Sequence, residues 1–315
     1  MIKINKAIND FINHCIYEKN LSPKTIKSYK IDLSQLFNFL INNDYSVDIS
    51  EITKHELREY LISISALRPK SVKRKIAVLK AMFNYLEFED IIGINPFRKM
   101  RIKIREPKVL PKAMNKSEVF NILKYAYKQI SSENNITSYS YAGKLRNIVV
   151  IELLFTTGAR VSEIADLKKE NININSGVIK IKGKGNKERI INICNKETLK
   201  ILQDYFRLFV KKIENSGGYF LINRLGKKLS DQSIRTIVHN LALNSTLQKK
   251  ITPHMFRHTF ATLLLEKDVD IKYIQSMLGH SSILTTQIYT QVNNTKQKQI
   301  LKLKHPRKDL IMIEP

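Results

Sequence analysis

Six polar residues in the second half of the chain are of the types that phosphate chemistry uses. They are two arginines, two histidines, a lysine and a tyrosine: Arg160, Lys184, His254, Arg257, His280 and Tyr289. Guanidinium and imidazole groups can neutralise a pentacoordinate phosphate, and a lysine or histidine can move the protons. A tyrosine hydroxyl can attack the phosphorus. The set therefore predicts a phosphoryl-transfer site whose positive charge comes from protein side chains.

Each of the two arginines stands at the start of a predicted helix. Arg160 follows a turn of small residues, and Glu163 lies one helical turn further on, where it could orient the guanidinium. Arg257 lies three residues after His254 in a first turn whose N–H groups favour anions. A surface Arg–Glu pair and a capping histidine beside an exposed arginine are the ordinary alternatives.

The other three residues have weaker local signals. Lys184 lies between glycines in a predicted hairpin turn and could protonate a leaving oxygen, with Lys182 and Lys187 as nearby alternatives. His280 follows the predicted end of a helix, and Tyr289 comes nine residues later. A solvated turn lysine, a histidine that caps a helix and a core tyrosine would explain them equally well.

The charge of the chain indicates a polyanionic partner. Lysine and arginine number 54 against 28 aspartates and glutamates, which gives a net charge of +26. DNA or RNA is the partner that such a basic chain most often binds. A genome rich in A and T, which inflates lysine, is another explanation of the composition, and a basic membrane-surface protein is another class.

Several kinds of chemistry lack their sequence signatures. Cys15 and Cys194 are the only cysteines, and no zinc motif, acidic two-metal cluster or phosphate-binding P-loop occurs. We therefore expect neither a metal nor another cofactor. The N-terminus has no signal-peptide pattern, and no apolar run is long enough to span a bilayer. These features predict a cytoplasmic, nucleoid-associated protein with no membrane partner.

Apolar residues at helical spacing predict four helices in the first hundred residues. They cover about 3–20, the segments after Pro23 and after Thr53, and about 69–88. Five basic residues on the second and fourth of these helices are expected to contact DNA phosphates: Lys24, Lys70, Lys73, Arg74 and Lys80. A solvated helix face is the alternative.

The chain is predicted to be mainly α-helical with two domains. An N-terminal domain at 1–104 and a basic, proline-containing linker at 105–113 precede a second domain at 114–305 and a tail at 306–315. A β-hairpin at 177–193 makes the second domain mixed α/β with a small antiparallel sheet. Its predicted helices include about 141–157, 161–167, 195–214, 230–247, 253–267, 270–279, 282–291 and 293–302.

The motifs around the six residues resemble those of the tyrosine recombinases, in the same order, and the Xer-type branch in particular. They read TGARVSE at 157–163, GKGNKER at 183–189, PHMFRHTFAT at 253–262, and LGHS at 278–281 through TTQIYT at 285–290. The resemblance extends over about 5–305 and includes a looser LSPKT at 21–25. It implies an N-terminal SAM-like domain that binds core DNA and a C-terminal catalytic domain.

The resemblance also implies a mechanism. Tyr289 would attack the scissile phosphate and leave a 3′-phosphotyrosyl enzyme and a free 5′-hydroxyl. Lys184 would protonate the 5′ oxygen and His254 would assist as acid and base. Because the phosphotyrosine conserves the energy of the broken bond, rejoining would need no ATP.

The remaining residues would hold the charge of the transition state. The resemblance gives this role to Arg160, Arg257 and His280, with Glu163 supporting Arg160. It also implies a tetramer on two double-stranded DNA sites, either of one chain or with a second recombinase. A segment at about 293–305 would dock on a neighbouring subunit, and a DNA translocase is a further possible partner.

Site-specific recombination is therefore the expected function, and chromosome or plasmid dimer resolution is the expected subtype. An integrase or transposase of a mobile element is the alternative within the family. A DNA-binding regulator that has lost catalysis and a one-strand topoisomerase of related chemistry are the alternatives outside it.

Overall fold

The computed structural model describes residues 2–105, 112–133, 138–183, 188–245, 247, 249–279 and 294–310, with the backbone alone at 294–297. The chain divides into two compact units, residues 1–109 and 110–315, and each unit has its own apolar core. Within the described residues, no helix is long and apolar enough to cross a membrane.

The described part of the first unit is built from helices. They are α1 (Ile4–Tyr17), α2 (Pro23–Asn42), α3 (Lys54–Ser63) and α4 (Pro69–Phe88). The starts follow the capping rules, because the Ser22 side chain accepts from the Thr25 amide and Thr53 forms a capping box with Glu56. The four helices predicted for this region are confirmed.

A buried carboxylate ties α2 to α4 inside the first unit. Asp32 is 1% exposed and lies 2.8 Å from the Lys75 ammonium, and it also pairs with Arg74. Lys75 in turn donates to Gln35. Since an unpaired buried charge is costly, this network fixes how the two helices pack.

The second unit is mostly helical. Its helices are α5 (Lys116–Ser131), α6 (Tyr139–Thr157), α7 (Val161–Ala165), α8 (Lys196–Asn215), α9 (Asp231–Asn244), α10 (Pro253–Leu265), α11 (Ile271–Leu278) and α12 (Asn294–Lys304). The predicted helix at 282–291 lies outside the described residues. The mainly α-helical fold class with two domains is confirmed.

A three-stranded antiparallel sheet accompanies these helices. Its strands are β1 (Ile172–Asn173), β2 (Val178–Lys182) and β3 (Glu188–Asn192), in the order β1-β2-β3. The register of β2 and β3 pairs Val178 with Asn192 and Lys182 with Glu188. This is the predicted hairpin, and β1 is an addition because two residues are too few to show a period.

Helix α6 is the centre of the second unit. Every residue from Ile148 to Thr157 is buried, including Glu152, because α5, α8, α9 and α10 all pack against this helix. Its C-terminal end at Thr157 is therefore rigidly placed. That end leads directly into the motif that carries Arg160.

The polypeptide after α12 packs into this same core. His305 is buried and its imidazole contacts the Thr156 carbonyl oxygen at 3.1 Å. Arg307 is 0% exposed, and its Nη2 lies 2.8 Å from both Glu152 Oε1 and Glu197 Oε2. The core thus continues past residue 305, into the predicted tail at 306–315, and α12 contacts β3 of its own chain.

Removing the Arg307 guanidinium should destabilise the second unit strongly. Arg307→Met leaves Glu152 buried without its cation, so we expect the free energy of unfolding to fall by about 3–5 kcal/mol. Lys308→Met makes the same change at an exposed neighbour and should alter stability by no more than about 0.5 kcal/mol. Urea unfolding followed by circular dichroism measures both free energies of unfolding. Similar losses in the two variants would contradict a stabilising role for the buried Arg307–Glu152 pair.

Candidate functional site

A left-handed glycine carries the chain from α6 into α7. Gly158 has φ 59° and ψ 18°, and its amide donates to the Leu154 carbonyl at 3.2 Å. Glycine adopts this conformation without strain. A Cβ atom at this position would stand 2.7 Å from Phe260 Cδ1 and 2.9 Å from Leu278 Cδ2. The motif glycine is thus required both by the backbone conformation and by the close approach of α10 and α11.

The predicted pairing of Arg160 with Glu163 is present. Arg160 Nη1 donates to Glu163 Oε1 at 2.8 Å, and the Arg160 backbone amide donates to Glu163 Oε2 at 2.9 Å. The Glu163 carboxylate is buried, whereas the Arg160 side chain is 39% exposed. The carboxylate therefore fixes the arginine from the protein side and leaves part of its guanidinium facing solvent.

Arg257 is buried and is held by backbone carbonyls. Its Nη1 donates to the Gly158 oxygen at 2.9 Å and its Nη2 donates to the Leu278 oxygen at 2.7 Å. The residue is only 3% exposed. The alternative of an exposed arginine beside a capping histidine is thus excluded. These two bonds connect α10 to the C-terminal ends of α6 and α11.

Positive charge is concentrated around Arg257. Burial, followed by the nearby Arg160, lowers the pKa of Arg257 to about 10. The guanidinium therefore stays charged at neutral pH at a cost in free energy that a bound anion would relieve. Arg160 and Arg257 therefore interact electrostatically and form one cationic cluster. Their joint action on one phosphate stays a prediction.

A third arginine joins this cluster, and the sequence analysis assigned it no role. Arg189 Nη2 donates to Glu163 Oε2 at 2.7 Å and its Nε donates to the Met277 oxygen at 2.8 Å. The sequence offers one signal for it. Arg189 lies two residues before the buried Ile191, so both side chains are on the inward face of β3. An inward-facing arginine on an amphipathic strand needs a buried partner.

His254 lies in the first turn of α10 and is exposed. Its ring packs edge-on against that of His258, with centroids 4.8 Å apart. Burial and the neighbouring Arg257 lower the pKa of His258, which favours its neutral form. His254 is thus an exposed side chain on the same helix that carries the buried Arg257.

Lys184, His280 and Tyr289 lie outside the described residues. Their neighbours in the chain are placed: Lys184 follows β2 and Gly183, and His280 follows Gly279 at the end of α11. Of the two alternatives to Lys184, Lys182 faces Glu188 across the hairpin at 4.0 Å, and Lys187 is also outside the described residues.

The residues predicted to contact DNA lie on the first unit. Lys24 is exposed in the first turn of α2, and Lys70, Lys73 and Arg74 are exposed on α4, with Lys80 half-buried. Arg74 also pairs with the buried Asp32, so its guanidinium is anchored at one side. Their contact with DNA stays a prediction.

No group of three or more histidine, cysteine, aspartate or glutamate side chains that could hold a metal ion occurs within the described residues.

Two family models match the chain in the same two regions. The phage integrase family matches residues 113–296, and the N-terminal SAM-like domain of phage integrases matches residues 8–90. The first match alone covers more than half of the chain. The chain belongs to the phage integrase family, the tyrosine recombinases. It is therefore an enzyme of a class that cleaves and rejoins DNA.

Curated tyrosine recombinases are similar over nearly their whole length. One from Agathobacter rectalis is 46% identical over 98% of this chain and 99% of its own. The XerD recombinase of Listeria innocua is 33% identical over 96% and 100%, and the XerC recombinase of Thermodesulfovibrio yellowstonii is 34% identical over 95% and 96%. These relatives support site-specific recombination and favour it over a topoisomerase or a regulator without catalysis.

Solved structures share the fold of this recombinase. A lambda integrase dimer bound to a COC′ core site has a TM-score of 0.66 at 19% identity, over 92% of this chain and 100% of that one. The XerH recombinase bound to its difH substrate has a TM-score of 0.64 at 20% identity, over 93% and 81%.

Gly158→Ala should destabilise the catalytic unit. The positive φ and the contact with Phe260 both oppose a methyl group, so we expect a loss of about 1–3 kcal/mol. Gly143→Ala is the matched control, because that helical glycine has nothing within 4 Å of its Cβ position. It should stabilise α6 by up to about 1 kcal/mol. Thermal unfolding compares the variants, and a shift of the same sign and size in both would contradict the close approach at Gly158.

Proposed function

We propose that this recombinase resolves chromosome or plasmid dimers through a 3′-phosphotyrosyl intermediate. The observation that best supports the chemistry is the position of Arg257. Its guanidinium is bonded to the carbonyl of Gly158, two residues before Arg160, and to that of Leu278, two residues before His280. One buried cation is thus linked to the chain segments of two other predicted phosphate ligands.

The proposed cleavage step uses these cations to stabilise developing charge. The Tyr289 oxygen attacks the scissile phosphorus, a new P–O bond to tyrosine forms, and the bond to the 5′ oxygen breaks. His254 takes up the phenolic proton and Lys184 gives a proton to the leaving 5′ oxygen. Rejoining is the reverse, with the 5′-hydroxyl as nucleophile.

The remaining residues neutralise the charge that develops on the non-bridging oxygens. Arg160, Arg257 and His280 hold those oxygens, and Glu163 keeps Arg160 in place. Because Arg257 and Glu163 are already fixed by hydrogen bonds, little reorganisation is needed when the charge develops. The proposed reaction uses neither a metal nor ATP.

Partners follow from the proposed reaction. Strand exchange needs two double-stranded sites and four subunits, either identical or shared with a second recombinase. Lambda integrase has been solved as a tetramer on a Holliday junction. The alignment of XerC and XerD relatives over 95–96% of this chain supports dimer resolution as the subtype. We further propose that Lys24, Lys70, Lys73, Arg74 and Lys80 contact the DNA backbone.

A suicide-substrate assay tests the proposed nucleophile. A nicked duplex carrying the host's candidate chromosomal site is incubated with the full chain without metal, and covalent complexes are counted on a denaturing gel. We expect wild type and Tyr139→Phe, an exposed tyrosine at the start of α6, to form the complex. Tyr289→Phe should form none and should keep wild-type DNA affinity.

A covalent complex that persists in Tyr289→Phe would assign the attack to another residue. A complex formed only on duplexes taken from the ends of a mobile element would favour integration over dimer resolution.

A further inference from the structure

Arg189 connects three chain segments of the site. It lies on β3, shortly after Lys184 in the sequence, and its side chain is 9% exposed. It donates to Glu163 at the start of α7 and to the Met277 carbonyl at the end of α11. Each of these segments leads within a few residues to a predicted catalytic group.

The bond to Glu163 completes the support of Arg160. Glu163 Oε1 accepts from the Arg160 side chain, and Oε2 accepts both the Arg160 amide and Arg189 Nη2. Burial opposes the ionisation of Glu163, but hydrogen bonds from Arg189 and the Arg160 backbone outweigh it, so the pKa of Glu163 lies below its usual value. Without Arg189, one oxygen of the carboxylate loses its only side-chain donor among the described residues.

The bond to α11 supports the approach to His280. Arg189 Nε holds the Met277 carbonyl at 2.8 Å, while Arg257 Nη2 holds the next carbonyl, that of Leu278. Gly279 then turns the chain with φ 63°, and a Cβ atom there would stand 3.1 Å from Arg189 Nη1. The guanidinium therefore packs against the turn at Gly279, which precedes His280 in the chain.

These contacts require an arginine. The rigid guanidinium fork presents Nε and Nη2 to two acceptors on different segments at once. A lysine would keep the charge next to Glu163 but has a single nitrogen, so it could not keep both bonds in the same geometry.

We propose that Arg189 is a positioning residue for DNA cleavage, which aligns Arg160 through Glu163 and the chain entering His280 through the Met277 carbonyl. This inference rests on the proposed function, because it assumes that Arg160 and His280 act on the scissile phosphate. Arg189 itself does not contact the DNA in this scheme.

A substrate with less negative charge can show whether Arg189 positions the catalytic cations or only stabilises the fold. Single-turnover cleavage is measured on the nicked duplex that the wild-type chain cleaves, with either a normal scissile phosphate or a methylphosphonate. The methylphosphonate has lost one negative charge, so it depends less on cations at the non-bridging oxygens. The variants are Arg189→Met, Arg189→Lys and Arg160→Met, with Lys180→Met as an exposed control on the same hairpin.

We expect both Arg189 variants to cleave the phosphate substrate roughly 10- to 100-fold more slowly, with unchanged DNA affinity. On the methylphosphonate, each should come within a few-fold of wild type, as Arg160→Met should. Lys180→Met should resemble wild type on both substrates. Arg189→Lys keeps a positive charge next to Glu163. If Arg189→Met fails to fold, the cleavage rate of Arg189→Lys still tests the proposal.

Two results would overturn the inference. One is a wild-type rate of cleavage of the phosphate substrate by Arg189→Lys. The other is an equal loss of cleavage rate on both substrates, which would mean that Arg189 only stabilises the fold. The behaviour of Arg160→Met distinguishes failure of the proposed function. If that variant shows no loss specific to the charged phosphate, the role of Arg160 itself is wrong.

Discussion

A buried guanidinium held by backbone carbonyls is the constraint on which the catalytic unit depends. Arg257 is bonded to the last turn region of α6 through Gly158 and to the end of α11 through Leu278. A charge this deeply buried must keep its hydrogen bonds, so the ends of three helices are fixed relative to one another. Gly158 and Gly279 make this possible, because both adopt positive φ where the helices end.

Two layers of support surround the charges that are left open to a substrate. Arg160 is half-exposed, but its carboxylate partner is buried, and that carboxylate is itself held by Arg189. Behind this layer, α6 is buried from Ile148 to Thr157 and is anchored through Glu152 to Arg307. The site is thus built at the end of a buried helical segment, which suits electrostatic preorganisation.

The sequence predicted the parts of this arrangement that depend on local spacing. The pairing of Arg160 with Glu163 follows from three-residue helical spacing, and the β2–β3 hairpin follows from alternation around a glycine-rich turn. The burial of Arg257 and the roles of Arg189 and Arg307 depend on contacts between segments 21 to 155 residues apart, which no local pattern encodes. For Arg189, the alternation of inward and outward residues along β3 is the one sequence signal that indicates an inward-facing side chain.

We propose that two arginines, fixed before DNA arrives, meet one phosphate. A crystal structure of the full chain on a gapped duplex, with vanadate in place of the scissile phosphate, tests this most directly. We predict that Arg160 and Arg257 both donate to oxygens of the same vanadate at about 3 Å, with the bonds from Arg257 to Gly158 and Leu278 unchanged. A vanadate held by Arg160 alone, or an Arg257 that gives up those carbonyls to reach it, would contradict the account.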